Sequence, residues 1–301
     1  NVTAAGAAEL LGDLKADVKT PGTGGLSLPK VKKASSYSIF SKSPDKTDAK
    51  DPFIRENNPF SFSSYGLLQG LRSNQLRSMI EDSLGNLWLG SDDGLVRFDG
   101  KYFWHFKQKQ GLKSDIILSL MEDSRRNIWI GSFRGGVVKY DGVSFSFMDD
   151  STGVSNITVN SFYEDRDGRI WIGSGMGLIC YSRDTLRFYS TREGLCDDDI
   201  RCVSQDSEGN IWAGGASGGF SVFNGKSFRN YSIKKYSNFD FVSDIISDKK
   251  GTIWLASRAG VIKYEKGSFY LYSTENGLKS NFVRGVMQDS RGEFWFTYDD
   301  S

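Results

Sequence analysis

Six tryptophans set the frame of this chain. Trp88, Trp129, Trp171, Trp212, Trp254 and Trp295 recur every 41 or 42 residues, and an aspartate stands six positions before each: Asp82, Asp123, Asp165, Asp206, Asp248 and Asp289. The copy from Gln205 to Gly214 reads Gln-Asp-Ser-Glu-Gly-Asn-Ile-Trp-Ala-Gly. A unit of this length, filled with short strand patterns, cannot bury its apolar face alone and must stack on its neighbours. The period predicts an all-β chain, a β-propeller of four-stranded antiparallel blades with one blade per repeat. Five full blades and a partial sixth are readable. The 34 glycines and 14% aromatic content suit many short strands joined by tight turns.

Every repeat resolves into the same strands. In the first, Gln75–Glu81 reads as the inner strand, followed by a turn at 82–86, Leu87–Ser91, a loop at 92–94, Leu95–Asp99 and the outer strand Tyr102–Phe106. The aspartate can cap its own turn, and a glycine three residues later (Gly85, Gly209, Gly251, Gly292) supplies a left-handed residue. The tryptophan is then held between neighbouring blades. Gly90, Gly131, Gly173 and Gly214, replaced by Ala256 and Thr297 in the last two repeats, relieve crowding where blades converge.

Residues 1–58 lie outside the repeats. Ala7, Leu10, Leu11, Leu14 and Val18 have helical spacing and predict a short helix over 4–18, which Gly6 and Gly12 weaken by roughly 1 kcal/mol each. Residues 19–58, rich in Lys, Ser, Pro, Gly and Asp, read as a linker or docking arm with one strand near Ser36–Phe40. Residues 59–301 read as the propeller. Ring closure usually has both chain ends complete one blade, which removes exposed sheet edges. The chain stops at Ser301, halfway through the sixth repeat, and Phe60–Ser64 resembles an outer strand. Two expectations follow: part of a longer protein with six to eight blades, or a six-bladed ring closed by residues 60–64. A start at Asn1 rather than Met implies a removed leader or upstream part.

Several function classes lose support from composition. Net charge is +1 and no basic patch stands out, which argues against nucleic acid. No apolar run reaches the ~18 residues of a membrane span. Cys180, Cys196 and Cys202 match no metal pattern and read as unpaired packed thiols. Asp197-Asp198-Asp199 reads as a solvated acidic loop, since adjacent residues of an extended backbone cannot all face one ion. His105, the one histidine, falls on an outer strand with no nucleophile beside it, and reads as surface structure.

Candidate binding residues cluster where loops enter the inner strands and where second strands pass into third. Just before the inner strands stand Asn74, Asp115, Ile157, Asp198, Asp240 and Asn281. Such Asx residues either satisfy local backbone groups or form a polar ring that contacts ligand. Arg77, Asn160, Arg201 and Arg284 sit on the inner strands, and Arg134 and Arg258 in the loops after the second strands. Arginines there could pair with the carboxylates or hold an acidic sugar or protein.

The segments Gly111-Leu112-Lys113-Ser114-Asp115, Glu122-Asp123-Ser124 and Asn127-Ile128-Trp129-Ile130-Gly131 closely resemble the two-component regulator propeller repeat. Stretches 70–100, 111–142, 194–225 and 277–297 match best, whereas Tyr236-Ser237-Asn238 departs from the expected Gly-Leu. The resemblance implies the extracytoplasmic sensor part of bacterial hybrid histidine kinases, common in Bacteroidetes, or a related envelope protein. It further implies a non-catalytic recognition role without cofactor. The expected partner is a small molecule or oligosaccharide such as a glycan fragment, or an envelope protein, with docking through residues 1–58. Asp289–Thr297 also has the flavour of streptogramin-lyase propellers, which are expected to use a central histidine as base. The one histidine here, on an outer strand, does not fit that place.

Overall fold

The repeating unit folds around one carboxylate. In each repeat the aspartate Oδ1 accepts from backbone N–H groups two and four residues on, at 2.8 and 3.0 Å for Asn86 and Leu84 on Asp82. The other oxygen accepts from the indole Nε1–H of the tryptophan six residues on, at 2.8 Å for Trp88, Trp129 and Trp212 and 2.7 Å for Trp171. Trp254 and Trp295 make the same bond at 3.0 and 3.2 Å. Burial pushes the Asp82 and Asp123 carboxyls up, but these indole, amide and backbone donors together hold both below the usual range.

This computed structural model describes residues 7–12, 14–54, 63–148 and 150–299. It divides into two units, residues 33–162 and residues 1–32 with 163–301. The boundary falls inside the strand Val159–Glu164.

In the unit 33–162, one antiparallel sheet runs Leu76–Glu81, Leu87–Ser91, Gly94–Phe98, Tyr102–Phe106 and then Asp45–Asp48. A second runs Ile117–Glu122, Ile128–Ser132, Gly136–Tyr140, Ser144–Met148 and then Ser36–Phe40. Trp88 packs against Phe106 of its own sheet and Tyr140 of the next, with ring centroids 6.0 and 5.8 Å apart. A Cβ on Gly90 would meet Ile117 at 2.8 Å, and one on Gly131 would meet Val159 at 2.7 Å, so glycine lets successive inner strands close up.

The other unit repeats the scheme. Ile200–Gln205, Ile211–Gly215, Phe220–Phe223 and Phe228–Tyr231 are extended by Asp17–Lys19. Val242–Ser247, Ile253–Ser257, Val261–Glu265 and Ser268–Tyr272 are extended by Glu9–Leu10. Lys30–Lys33 adds to Thr185–Tyr189 of the third blade, and Val283–Gln288 pairs with Phe294–Tyr298 as a two-stranded sheet. Trp212 stacks on Phe220 at 5.7 Å and meets Tyr264 of the following sheet at 4.9 Å. Trp295, in the two-stranded sheet, is half exposed.

The blades are therefore five-stranded, one strand more than the repeat predicts, because the N-terminal arm supplies the outermost strand. Ser36–Phe40 has the expected bounds. The helix over 4–18 is absent among the described residues there, where Glu9–Leu10 and Asp17–Lys19 are strands. A short helix interrupted by glycine is marginal in water. An outer blade strand offers a row of unpaired N–H and C=O groups that an extended arm satisfies. Leu11 is then buried against Trp212, Phe269 and Leu271. Of the expected outer strand 60–64, residues 60–62 lie outside the described residues, while Ser63–Ser64 pairs with Phe53–Ile54.

The arm also corrects the reading of His105 as surface structure. Asp45 lies opposite it in register, and the imidazole is 2% exposed. Asp45 itself is held by Arg72 at 2.8 Å and Lys109 at 2.6 Å, and hydrogen bonds from Lys109 and Arg72 lower its carboxyl to about 2. Burial, with Arg72 nearby, pushes His105 down to about 4.

Two outcomes are expected. Asp206→Ala leaves the buried Trp212 N–H and two turn amides without an acceptor, and should cost about 2–4 kcal/mol in urea denaturation. The neutral His105 favours the folded state only above its unfolded pKa, so its contribution is lost as pH falls from about 6.5 towards 4. In His105→Phe, the fall in stability across that window should be shallower than in the parent chain.

Candidate ligand-recognition site

The arginines singled out on the inner strands sit on β-bulges. Leu76 pairs with Ser91 and Ser78 with Gly90, which leaves Arg77 as the extra residue. The same register shift leaves Leu118, Arg201, Ser243 and Arg284 unpaired in their own strands. A bulge bends the strand and re-aims one side chain without disturbing the rest of the ladder. Here it re-aims the residue at the loop end of the inner strand.

Within the unit 33–162, Arg77 binds the Asp92 carboxylate through Nε and, at 3.0 Å, through Nη2. That hydrogen-bonded pair lowers Asp92 and raises Arg77. Asp93 in the same loop is paired with Lys107. Arg134, in a left-handed conformation at φ +53°, lies over the Phe133 ring at 5.3 Å. Asn160 is half-buried in the strand Val159–Glu164.

Within the other unit, Arg201 pairs with Asp199 at 2.5 Å and Arg284 with Asp299 at 2.7 Å. The fifth blade differs. Its bulge residue is Ser243, whose hydroxyl donates to the Val283 carbonyl at 2.8 Å, and the cation comes from the facing loop as Arg258. The Arg258 guanidinium is 4.4 Å from the ring centres of both Phe239 and Phe282 and 5.4 Å from that of Phe241. Arg284 approaches Phe282 at 4.5 Å. Among the described residues, Arg258 Nε is buried without a hydrogen-bond partner, and Phe239 is 56% exposed. The result is a cation between two aromatic faces with a second arginine beside it. Nothing in the spacing of Phe239 and Phe282 announces this.

The Asx residues have a local task. Asp115 accepts from Gln108 N at 2.8 Å, Asp198 from Thr191 N at 2.7 Å, Asp240 from Ile233 N at 2.5 Å and Asn281 from Thr274 N at 2.7 Å. Each reaches seven residues back, to an amide where the outer strand leaves its blade. Asp198→Ala should therefore lower stability by about 1 kcal/mol in a denaturation curve while any ligand affinity of the loop end stays unchanged.

The acidic loop divides its duties too. Asp197 accepts from Ser217 N at 2.7 Å and Gly218 N at 3.0 Å, Asp198 caps the turn, and Asp199 pairs with Arg201. Among the described residues, no group of three His, Cys, Asp or Glu could hold a metal, and Cys180, Cys196 and Cys202 are free thiols.

Antiparallel sheets stacked through one tryptophan per blade, with polar residues re-aimed at the loop end, make this a β-propeller architecture. The two-component regulator propeller repeat matches four segments of the chain, residues 70–93, 111–134, 152–176 and 194–217. Among solved structures the chain is similar to the extracellular domain assigned to a hybrid two-component system of B. thetaiotaomicron. Identity is 26% and the TM-score 0.66, over 75% of this chain and 32% of that one. This chain therefore spans about a third of that domain. PorZ, a surface component of the type-IX secretion system of Porphyromonas gingivalis, shares the fold at 18% identity and a TM-score of 0.57, over 74% and 37% of the two chains. Streptogramin B lyase shares it at 13% identity and a TM-score of 0.61, over 87% and 95%. No curated protein matches the chain. Among the described residues, no helix is long and apolar enough to cross a membrane.

Proposed function

We propose that this chain is an extracytoplasmic, non-catalytic recognition propeller of the sensor type. Its ligand meets the loop end of the blades at Arg258 and Arg284. The observation that carries this reading is the Arg258 guanidinium, held between Phe239 and Phe282 with a buried Nε that has no acceptor among the described residues. A buried donor left unpaired is costly and is relieved by an incoming oxygen. The exposed Phe239 ring and the half-buried Phe282 ring beside it suit the apolar face of a sugar ring, and the two guanidiniums suit a carboxylate. An acidic oligosaccharide fits this chemistry.

The sensor reading draws further support from the repeat family and from the similar extracellular domain. A lyase reading draws little. The likeness to streptogramin B lyase is one of fold, and His105 lies beneath an arm strand with its imidazole held neutral. The alternative of a scaffold subunit docked through residues 1–58 is weakened, since described strands of that segment are used within the blades.

Glycan-array screening followed by calorimetry tests the proposal. An acidic oligosaccharide should bind, and Arg258→Ala and Phe282→Ala should each weaken it at least about tenfold, or about 1.4 kcal/mol. Binding that survives the double substitution Arg258→Ala/Arg284→Ala would remove these residues from the site.

A further inference from the structure

At the opposite end of the strands, a cleft of about 510 Å³ opens between the third and fourth blades, within residues 163–301. The two-residue turn joining Gly177–Ser182 to Thr185–Tyr189 forms one lip, and Asn224 and Gly225 the other. Trp171, Tyr189 and Phe223 form an aromatic floor. Among the described residues three arginines line it, Arg169, Arg183 and Arg187, and no carboxylate does. Arg169 is already committed to Asp165 at 2.6 Å and Asp167 at 2.9 Å. Arg187 neighbours the Tyr189 hydroxyl, and among the described residues neither Arg187 nor Arg183 forms an ion pair.

Two comparisons within the chain show that this is not a requirement of the architecture. The cleft of about 540 Å³ beside the fifth blade mixes Asp206, Glu208 and Glu265 with Lys250 and Lys266. Its lining is balanced, so a gap between blades does not need three arginines. The second comparison concerns the turn. Corresponding turns elsewhere place glycine in the left-handed region, at Gly100, Gly142, Gly225 and Gly267, the last with Lys266 beside it at φ +50°. Here the turn has no glycine, and both of its residues are left-handed, Arg183 at φ +46° and Asp184 at φ +56°. That conformation is disfavoured for a residue with a Cβ, more for arginine than for aspartate, and such strain clusters at functional sites where the surrounding structure holds it.

We infer that this cleft binds a small organic oxyanion, a phosphate ester, sulfate ester or carboxylate, with Arg183 and Arg187 on the charge and the aromatic floor against the organic body. Guanidinium forks match all three oxyanions. The volume lies in the range of small-molecule sites and exceeds what a bare inorganic ion fills. The site is separate from the loop-end site and does not rest on it.

Calorimetry of the full chain at low ionic strength tests this, with inorganic phosphate, inorganic sulfate, phenyl phosphate, phenyl sulfate and citrate as probes. At least one organic anion should bind, and each aryl ester should bind at least about tenfold tighter than its inorganic counterpart. Arg187→Ser and Arg183→Gly should each weaken binding by about tenfold or more, and Arg183→Gly should at the same time raise Tm by relieving the turn. No heat with any probe would overturn the proposal, as would affinity unchanged in both variants. Equal affinity for aryl and inorganic anions would overturn the organic-ligand assignment and leave a simple oxyanion site.

Discussion

The hydrogen bond from an indole N–H to a carboxylate six residues earlier is the contact on which the rest depends. It closes the hairpin between first and second strands, orients the tryptophan, and satisfies the one polar atom of the side chain that packs consecutive blades. Asp82, Asp123, Asp165 and Asp206 are buried carboxylates, yet each is met by several donors. A buried charge is tolerable only under that condition. The register it fixes carries outward through the sheet, from the tryptophan strand to the aromatic third strand and on to the outer strand.

That rigidity makes the bulges informative. Strand pairing alternates strictly, so an extra residue at one place in five inner strands is a repeated device for presenting one side chain at the loop end. In three of the five that side chain is arginine, each answered by an aspartate. The fifth blade has Ser243 at its bulge and takes its cation from across the loop as Arg258, where phenylalanines replace the aspartate as its neighbours. An arginine with a carboxylate partner is neutralised. One held between aromatic rings keeps its charge available, and this is why the fifth blade carries the functional reading.

The arm shows where local pattern stops being informative. Ser36–Phe40 is legible as a strand because its composition is strand-like. Glu9–Leu10 and Asp17–Lys19 are not, because a helical spacing of apolar residues competes there and nothing local says that an open sheet edge is waiting. The surface reading of His105 fails for the same reason: an outer-strand residue faces water unless another segment covers it, and the covering Asp45 stands sixty positions earlier.

Sequence alone determined the blades: their repeat, the strand boundaries of the first repeat to within a residue, the turn aspartates and the small residues where inner strands converge. Hydrogen-bonding periodicity and turn stereochemistry are local, and six repetitions average out the noise in any one copy. Tertiary structure decided the fifth strand of each blade, the burial of His105, and the meeting of Arg258 with Phe239 and Phe282. Those depend on which distant segments satisfy an open edge and on which loop side chains of neighbouring blades meet. A repeat pattern cannot contain such information, because the arm lies outside the repeats and the loop residues vary from blade to blade.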